Sequence, residues 1–103
     1  MEYILSRSQR QDKKFVVKIK NKKTGKIEKQ INFGAKGYSD YTIHKDKDRR
    51  DRYDNRHHKR ENWKKSGVQT AGFWAKWILW NKKTINDSIK DTEKRFGIKI
   101  IRQ

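Results

Sequence analysis

The 103-residue sequence predicts an α+β fold, a small antiparallel β-sheet built from an N-terminal hairpin plus a C-terminal strand, with about three helices. Three observations carry this. Apolar and polar residues alternate from Lys14 to Phe33, the period of a strand with one buried face. Apolar residues crowd Ala71–Trp80 and recur at helical spacing from Ile85 to Phe96. The closing run Ile98-Lys99-Ile100-Ile101-Arg102 is β-favouring and adds most simply to the hairpin.

Taken in order, Tyr3 to Ser8 supplies a first strand. Phe15, Val17 and Ile19 then alternate with Lys14, Lys18 and Lys20, giving one apolar and one basic face. Asn21-Lys22-Lys23-Thr24-Gly25-Lys26 has turn chemistry, and Ile27, Ile31 and Phe33 mark the return strand. Gly34 to Asp40 is a loop. Its glycines beside Lys36 suit a close backbone approach to a phosphate, or simply the bend from sheet to helix. From Asp46 to Trp63 the chain is almost devoid of apolar residues, and acids precede bases at i,i+4 in Asp46/Arg50 and Asp48/Arg52. That pattern predicts an exposed helix laced by weak ion pairs. Ser66 and Gly67 break it, after which Thr70 caps an element, Ala71–Trp80, that is apolar nearly all round and forms the hydrophobic centre. Thr84 with Asp87 resembles a capping box for a last amphipathic helix that Gly97 ends.

Charge narrows the function. Lys and Arg total 29 against 12 Asp and Glu, a net +17, distributed as +8 over 1–45 (12 basic, 4 acidic), +2 over 46–63 (7 and 5) and +7 over 64–103 (10 and 3). The basic residues are interleaved with Phe, Val, Ile and Trp, so they coat a folded body rather than form a tail. Such a field calls for a polyanion or an acidic partner. The length suits a single domain, 1–103, whose core is thin because 40% of residues are charged and 31% apolar, with twelve aromatic residues partly compensating. Without cysteine there is no disulfide framework, thiolate nucleophile or Cys-based zinc site. The longest apolar run, Phe73 to Trp80, is far below the roughly 20 residues of a bilayer span, and no signal-peptide apolar segment opens the chain, so neither membrane insertion nor export by a cleaved signal is expected.

Candidate binding residues follow from geometry. Arg49, Tyr53, Arg56, Arg60 and Trp63 fall on one helical face, three guanidinium groups between two rings. Arg forks phosphates and rings stack on bases, although the same pattern fits a solvated helix with Tyr53 and Trp63 packed inward. Nucleic acid, DNA favoured over RNA, would meet Lys18 and Lys20 on the hairpin face, Lys22, Lys23 and Lys26 in its turn, and Arg49, Arg52, Arg56, Lys59 and Arg60 on the charged helix. Trp74, Trp77 and Trp80 suit burial better than base stacking, with room for one at an exposed edge. No catalytic set is legible. His57 and Glu61 share i,i+4 spacing but lack a second His and are flanked by cations, so no metal site is expected. A nuclease built on His44 with Asp40, or on His57 with Asp54, would need the clustered carboxylates that the Asp46–Asp54 segment scatters around its helix. No cofactor is implied.

The words Phe33 to Thr42, His44-Lys45-Asp46, Arg56 to Trp63, Thr70 to Lys82 and Ile89 to Gly97 resemble a family of small basic proteins of giant nucleocytoplasmic large DNA viruses and some algae, over about residues 33–97. Lys83 departs from that pattern, standing where related sequences often have Pro before the last helix, and leaves the connection less rigid. The family carries no assigned activity, so the resemblance implies a viral origin and a virion location, with host cytoplasm or viral factory during infection, and no catalytic residue. The expectation is a non-catalytic virion protein that packages or coats DNA. The alternative is a minor capsid or internal scaffold protein whose basic face meets acidic capsid proteins.

Overall fold

A computed structural model describes all residues, 1–103. The fold is α+β: β1 (Glu2–Arg7), β2 (Lys13–Lys20) and β3 (Ile27–Ala35) are followed by helices α1 (Tyr41–His44), α2 (Lys47–His57), α3 (Ala71–Trp74) and α4 (Ile85–Phe96), and the chain closes on β4 (Lys99–Arg102). The strand order is β3-β2-β1-β4. The antiparallel hairpin forms as the alternation predicts, with Phe15 opposite Phe33 and Val17 opposite Ile31.

The sheet is mixed rather than purely antiparallel, because β4 runs parallel to β1, with Tyr3 opposite Ile100. The cause lies in the crossover: parallel neighbours need a long connection, and here the helices provide it. Gly97, left-handed at φ +63, ends α4 where β1 begins and sends β4 along the same direction. The Glu93 carboxylate accepts the Ile100 N–H at 2.9 Å and so occupies one donor of the short strand.

α3, the turn after it and α4 cover one sheet face. Tyr3, Leu5, Val17, Ile19, Ile31, Phe33 and Ile100 point into a core completed by Phe73, Trp74, Ile78, Leu79 and Ile89. Twenty of 103 residues are buried, and the core is as thin as the charge content demands. Thr70 accepts the Phe73 N–H and Thr84 the Asp87 N–H, so both helix starts fall where the sequence places them. Between α3 and Trp80 the backbone adopts a π turn over Ala75–Leu79, an extra residue that breaks the 3.6-residue phase. No helix is long and apolar enough to cross a membrane.

The charged helix differs from its prediction. It stops at His57, and Arg60 and Trp63 lie beyond it. The pairs Asp46/Arg50 and Asp48/Arg52 do not form. Asp46 is the N-cap, accepting N–H bonds from Asp48 and Arg49, while Arg50 lies 3.5 Å from Asp51. An N-cap carboxylate satisfies otherwise orphaned N–H groups, which outweighs an exposed ion pair of a few tenths of a kcal/mol. Past His57 no apolar residue before Trp63 binds the segment to the core, so nothing extends the helix.

Candidate nucleic-acid interface

The ten sequence-nominated cations fall into two sets. Lys22, Lys23 and Lys26 are exposed in the hairpin turn, which is closed by Asn21: its side chain accepts the Lys23 N–H and its carbonyl the Gly25 N–H. Lys18 and Lys20 lie half-buried on the uncovered sheet face. Arg49, Arg52 and Arg56 are exposed on α2, with Lys59 and Arg60 exposed in the turn that follows. The turn leaves the Lys20–Ile27 end of β2 and β3, whereas α1 and α2 follow from the Lys13–Ala35 end. With β2 eight residues long, about 26 Å separates the ends. The structure therefore presents two basic regions, and it does not merge the ten residues into one patch.

Five ion pairs engage Arg10, Lys14, Arg50, Lys76 and Arg95. The other 24 of the 29 Lys and Arg have no carboxylate within 4.0 Å, and none of the ten candidates is paired.

The α2 region contains a cleft of 440 Å³ between α2, the π turn and the Gly34–Asp40 segment, whose first two residues end β3 rather than belong to the loop the sequence predicts. Its wall is a ring stack. Tyr53 lies parallel to Trp80 at 4.2 Å and 2°, and against His57 at 4.2 Å and 27°. Two rings cannot share one face of a third at that spacing, so Tyr53 is the middle layer. Trp63 sits nearly parallel to Tyr53 at 6.4 Å, and His44 tilts against Trp80 at 5.4 Å. Tyr53 thus turns inward and offers no free stacking platform, as in the second of the two arrangements the stripe allowed, while Trp63 is half-buried beside the stack with Lys76 Nζ 5.1 Å from its ring centre.

The floor follows from Gly34 and Lys14. Gly34 has φ +79, and a Cβ there would lie 2.7 Å from Leu79 Cδ1, so only glycine lets the end of β3 settle onto the π turn. Lys14 Nζ donates to Asp40 at 2.6 Å, with side-chain exposures of 15% and 3%. Asp40 also caps α1, accepting the Thr42 N–H at 2.9 Å and the Thr42 hydroxyl. The only carboxylate of the cleft is therefore saturated, while Arg49 and Arg56 at the rim remain unpaired.

Protonation keeps the stack neutral. Burial, reinforced by Arg60 and Arg56, holds the His57 imidazole below its ordinary value; burial and Arg49 do the same for His44. Burial, with Glu61 and Asp54 adding to it, pushes the Tyr53 hydroxyl up to about 12. His44 Nδ1 accepts the Asp46 N–H at 2.8 Å, so its neutral ring carries the proton on Nε2, which is buried without a partner. With Lys14 paired to Asp40, the guanidinium groups of Arg49 and Arg56, not the histidines, carry the cleft's unpaired positive charge. His57 is occupied as a ring in the stack, and nowhere do three His, Asp or Glu side chains converge.

Sequence reasoning nominated Arg49 and Arg56 but missed Lys14, Tyr38, Asp40 and Trp80 as parts of one site. One signal was legible: Tyr53 is the lone aromatic residue inside the charged segment before Trp63, which marks where that segment must be anchored.

Residues 3–57, more than half of the chain, match the model of a family described as a family of unknown function (DUF5754). The match runs from β1 to the last residue of α2 and includes Lys14, the Gly34–Asp40 segment, Arg49, Arg56 and His57, but not Trp80. No curated protein and no solved structure matches the chain.

Proposed function

The chain belongs to the DUF5754 family, whose function is unknown, and we propose that it is a non-catalytic protein that binds nucleic acid electrostatically as a virion component packaging or coating DNA. The supporting observation is the set of 24 cations without a carboxylate partner on a folded domain of net charge +17, the ten nominated residues among them falling in two separate regions. Unpaired surface cations release counterions from a phosphate backbone, and this release drives sequence-independent binding. Two regions toward opposite ends of a hairpin about 26 Å long suit contact with separate stretches of one polyanion, or with two strands.

The test is fluorescence anisotropy of labelled duplex DNA over a salt series. With six to eight Lys or Arg on phosphates, the log–log slope is about −5 to −7. A flat salt response overturns the reading. A second reading, an internal scaffold for acidic capsid proteins, draws support from β3, an edge strand whose Ile27–Gln30 stretch is exposed. Nuclease treatment of virions separates the two: a packaging protein leaves with the genome, and a scaffold protein sediments with the shell.

A further inference from the structure

We propose that the cleft between α2 and the Gly34–Asp40 segment receives one unpaired nucleotide of a single strand, its base against the His57 end of the ring stack and Tyr38, its two flanking phosphates on Arg49 and Arg56. This rests on the nucleic-acid reading and goes further, since it assigns strand type and a particular site.

Elimination over the rings places the base. Trp80 and His57 cover the two faces of Tyr53, and His44 leans on Trp80. Of the cleft's aromatic lining this leaves half-buried His57, at the end of the stack, and the ring of Tyr38, which is 74% exposed on the loop beside Gly37. An exposed tyrosine next to a left-handed glycine (φ +90) can close over a ligand at small steric cost. A nucleobase would then extend the stack by one layer.

The phosphates are placed by helix geometry. Arg49 and Arg56 are seven residues apart, two turns of α2 and roughly 10 Å along its axis, on the same face with Tyr53 between them. They bracket the rings as two phosphates bracket a base. Asp40 offers little repulsion, because Lys14 and Thr42 engage its oxygens. The π turn adds an independent indication: such turns cluster at functional sites, and its first and last residues, Ala75 and Leu79, line this cleft. A duplex keeps its bases paired and stacked and has none to offer.

The experiment compares a single-stranded oligothymidylate of about 12 nucleotides with a duplex of equal length and with heparin, at matched salt. The chain as it stands should bind the single strand more tightly than the duplex. Tyr38→Ala, at an exposed position that leaves the core untouched, should weaken single-strand binding roughly 5- to 150-fold, the cost of one base stack, and leave duplex binding unchanged. Arg49→Gln with Arg56→Gln should lower the single-strand salt slope by about 1.4. Arg52→Gln, on the same helix but outside the cleft, should affect both strand types alike. Single-strand affinity unmoved by Tyr38→Ala, or equal losses on both strand types in the Arg49/Arg56 double variant, overturns the cleft while leaving electrostatic binding intact. Affinity for both nucleic acids no greater than for heparin overturns the nucleic-acid reading and the cleft together.

Discussion

The helical layer over the sheet and the α2 region are both rich in aromatic rings, yet they use them differently. Around Phe73 the rings pack at steep angles: Trp74 at 76°, Phe96 at 54°, and Trp77 against Phe96 at 74°. They interlock in three dimensions and drive Phe73 and Trp74 to complete burial. Around Tyr53 the rings lie in parallel layers, and Tyr53 is the only buried residue that α2 contributes. The remaining anchors of α2 are polar: Lys76 Nζ donates to both Asp54 oxygens at 2.9 Å, while the Arg50 guanidinium covers the Tyr41 ring at 4.9 Å and reaches the Asn81 carbonyl. Interlocked rings make a core; a single layered stack makes a mount. The mount leaves every other side of α2 free to carry charge, so a helix with almost no apolar content still has a fixed place.

The contrast is broken most forcefully at Phe73. Phe73→Ala removes a fully buried ring from the middle of the core and should cost about 3–5 kcal/mol, a large part of the roughly 5–15 kcal/mol that holds a domain together. Chemical denaturation should show the whole chain losing stability in one transition. Tyr53→Ala should cost less, about 2–3 kcal/mol, and should act locally. Hydrogen exchange should then show faster exchange of α2 amides with the β1, β2 and α4 amides still protected. If Tyr53→Ala instead lowers protection in β1 and β2 as much as Phe73→Ala does, the two regions are one cooperative unit and the distinction fails.

The same contrast explains what could be read from the residues. The core announces itself locally: strand alternation at Phe15, Val17 and Ile19, the caps Thr70 and Thr84, and the Gly97 stop each act within a few residues, and each stands where the pattern places it. The direction of β4 was not legible, because Ile98 to Arg102 encodes an extended strand but not its neighbour's polarity, which the route through α4 decides. The end of α2 was over-read for a related reason: i,i+4 charge spacing persists past His57, but exposed pairs are too weak to extend a helix without packing. The cleft was the least legible part. Lys14 and Asp40 stand 26 residues apart, and Tyr53 and Trp80 meet across 27, so no local pattern links them.

Acid should loosen the mount before the core. His44 and His57 both sit against the stack, and both are held below the ordinary value of 6.5, chiefly by burial and then by Arg49 for His44 and by Arg60 and Arg56 for His57. The carboxylates facing them, Asp46 and Asp40 in one case and Glu61 and Asp54 in the other, oppose the shift without cancelling it. A histidine whose folded value lies below its unfolded one favours the folded state while neutral. Its contribution is complete above 6.5 and is lost as pH falls from there through the folded value. For His44 the route is specific: a proton on Nδ1 meets the Asp46 N–H that this nitrogen accepts, at the junction where α2 begins. Between about pH 7.5 and 5.5, hydrogen exchange corrected for its intrinsic pH dependence should therefore show protection falling in α2 while β1 and β2 hold. The His44→Gln, His57→Gln double variant should flatten that dependence; if α2 protection falls with pH as steeply in the double variant as in the parent chain, the histidines do not govern the mount.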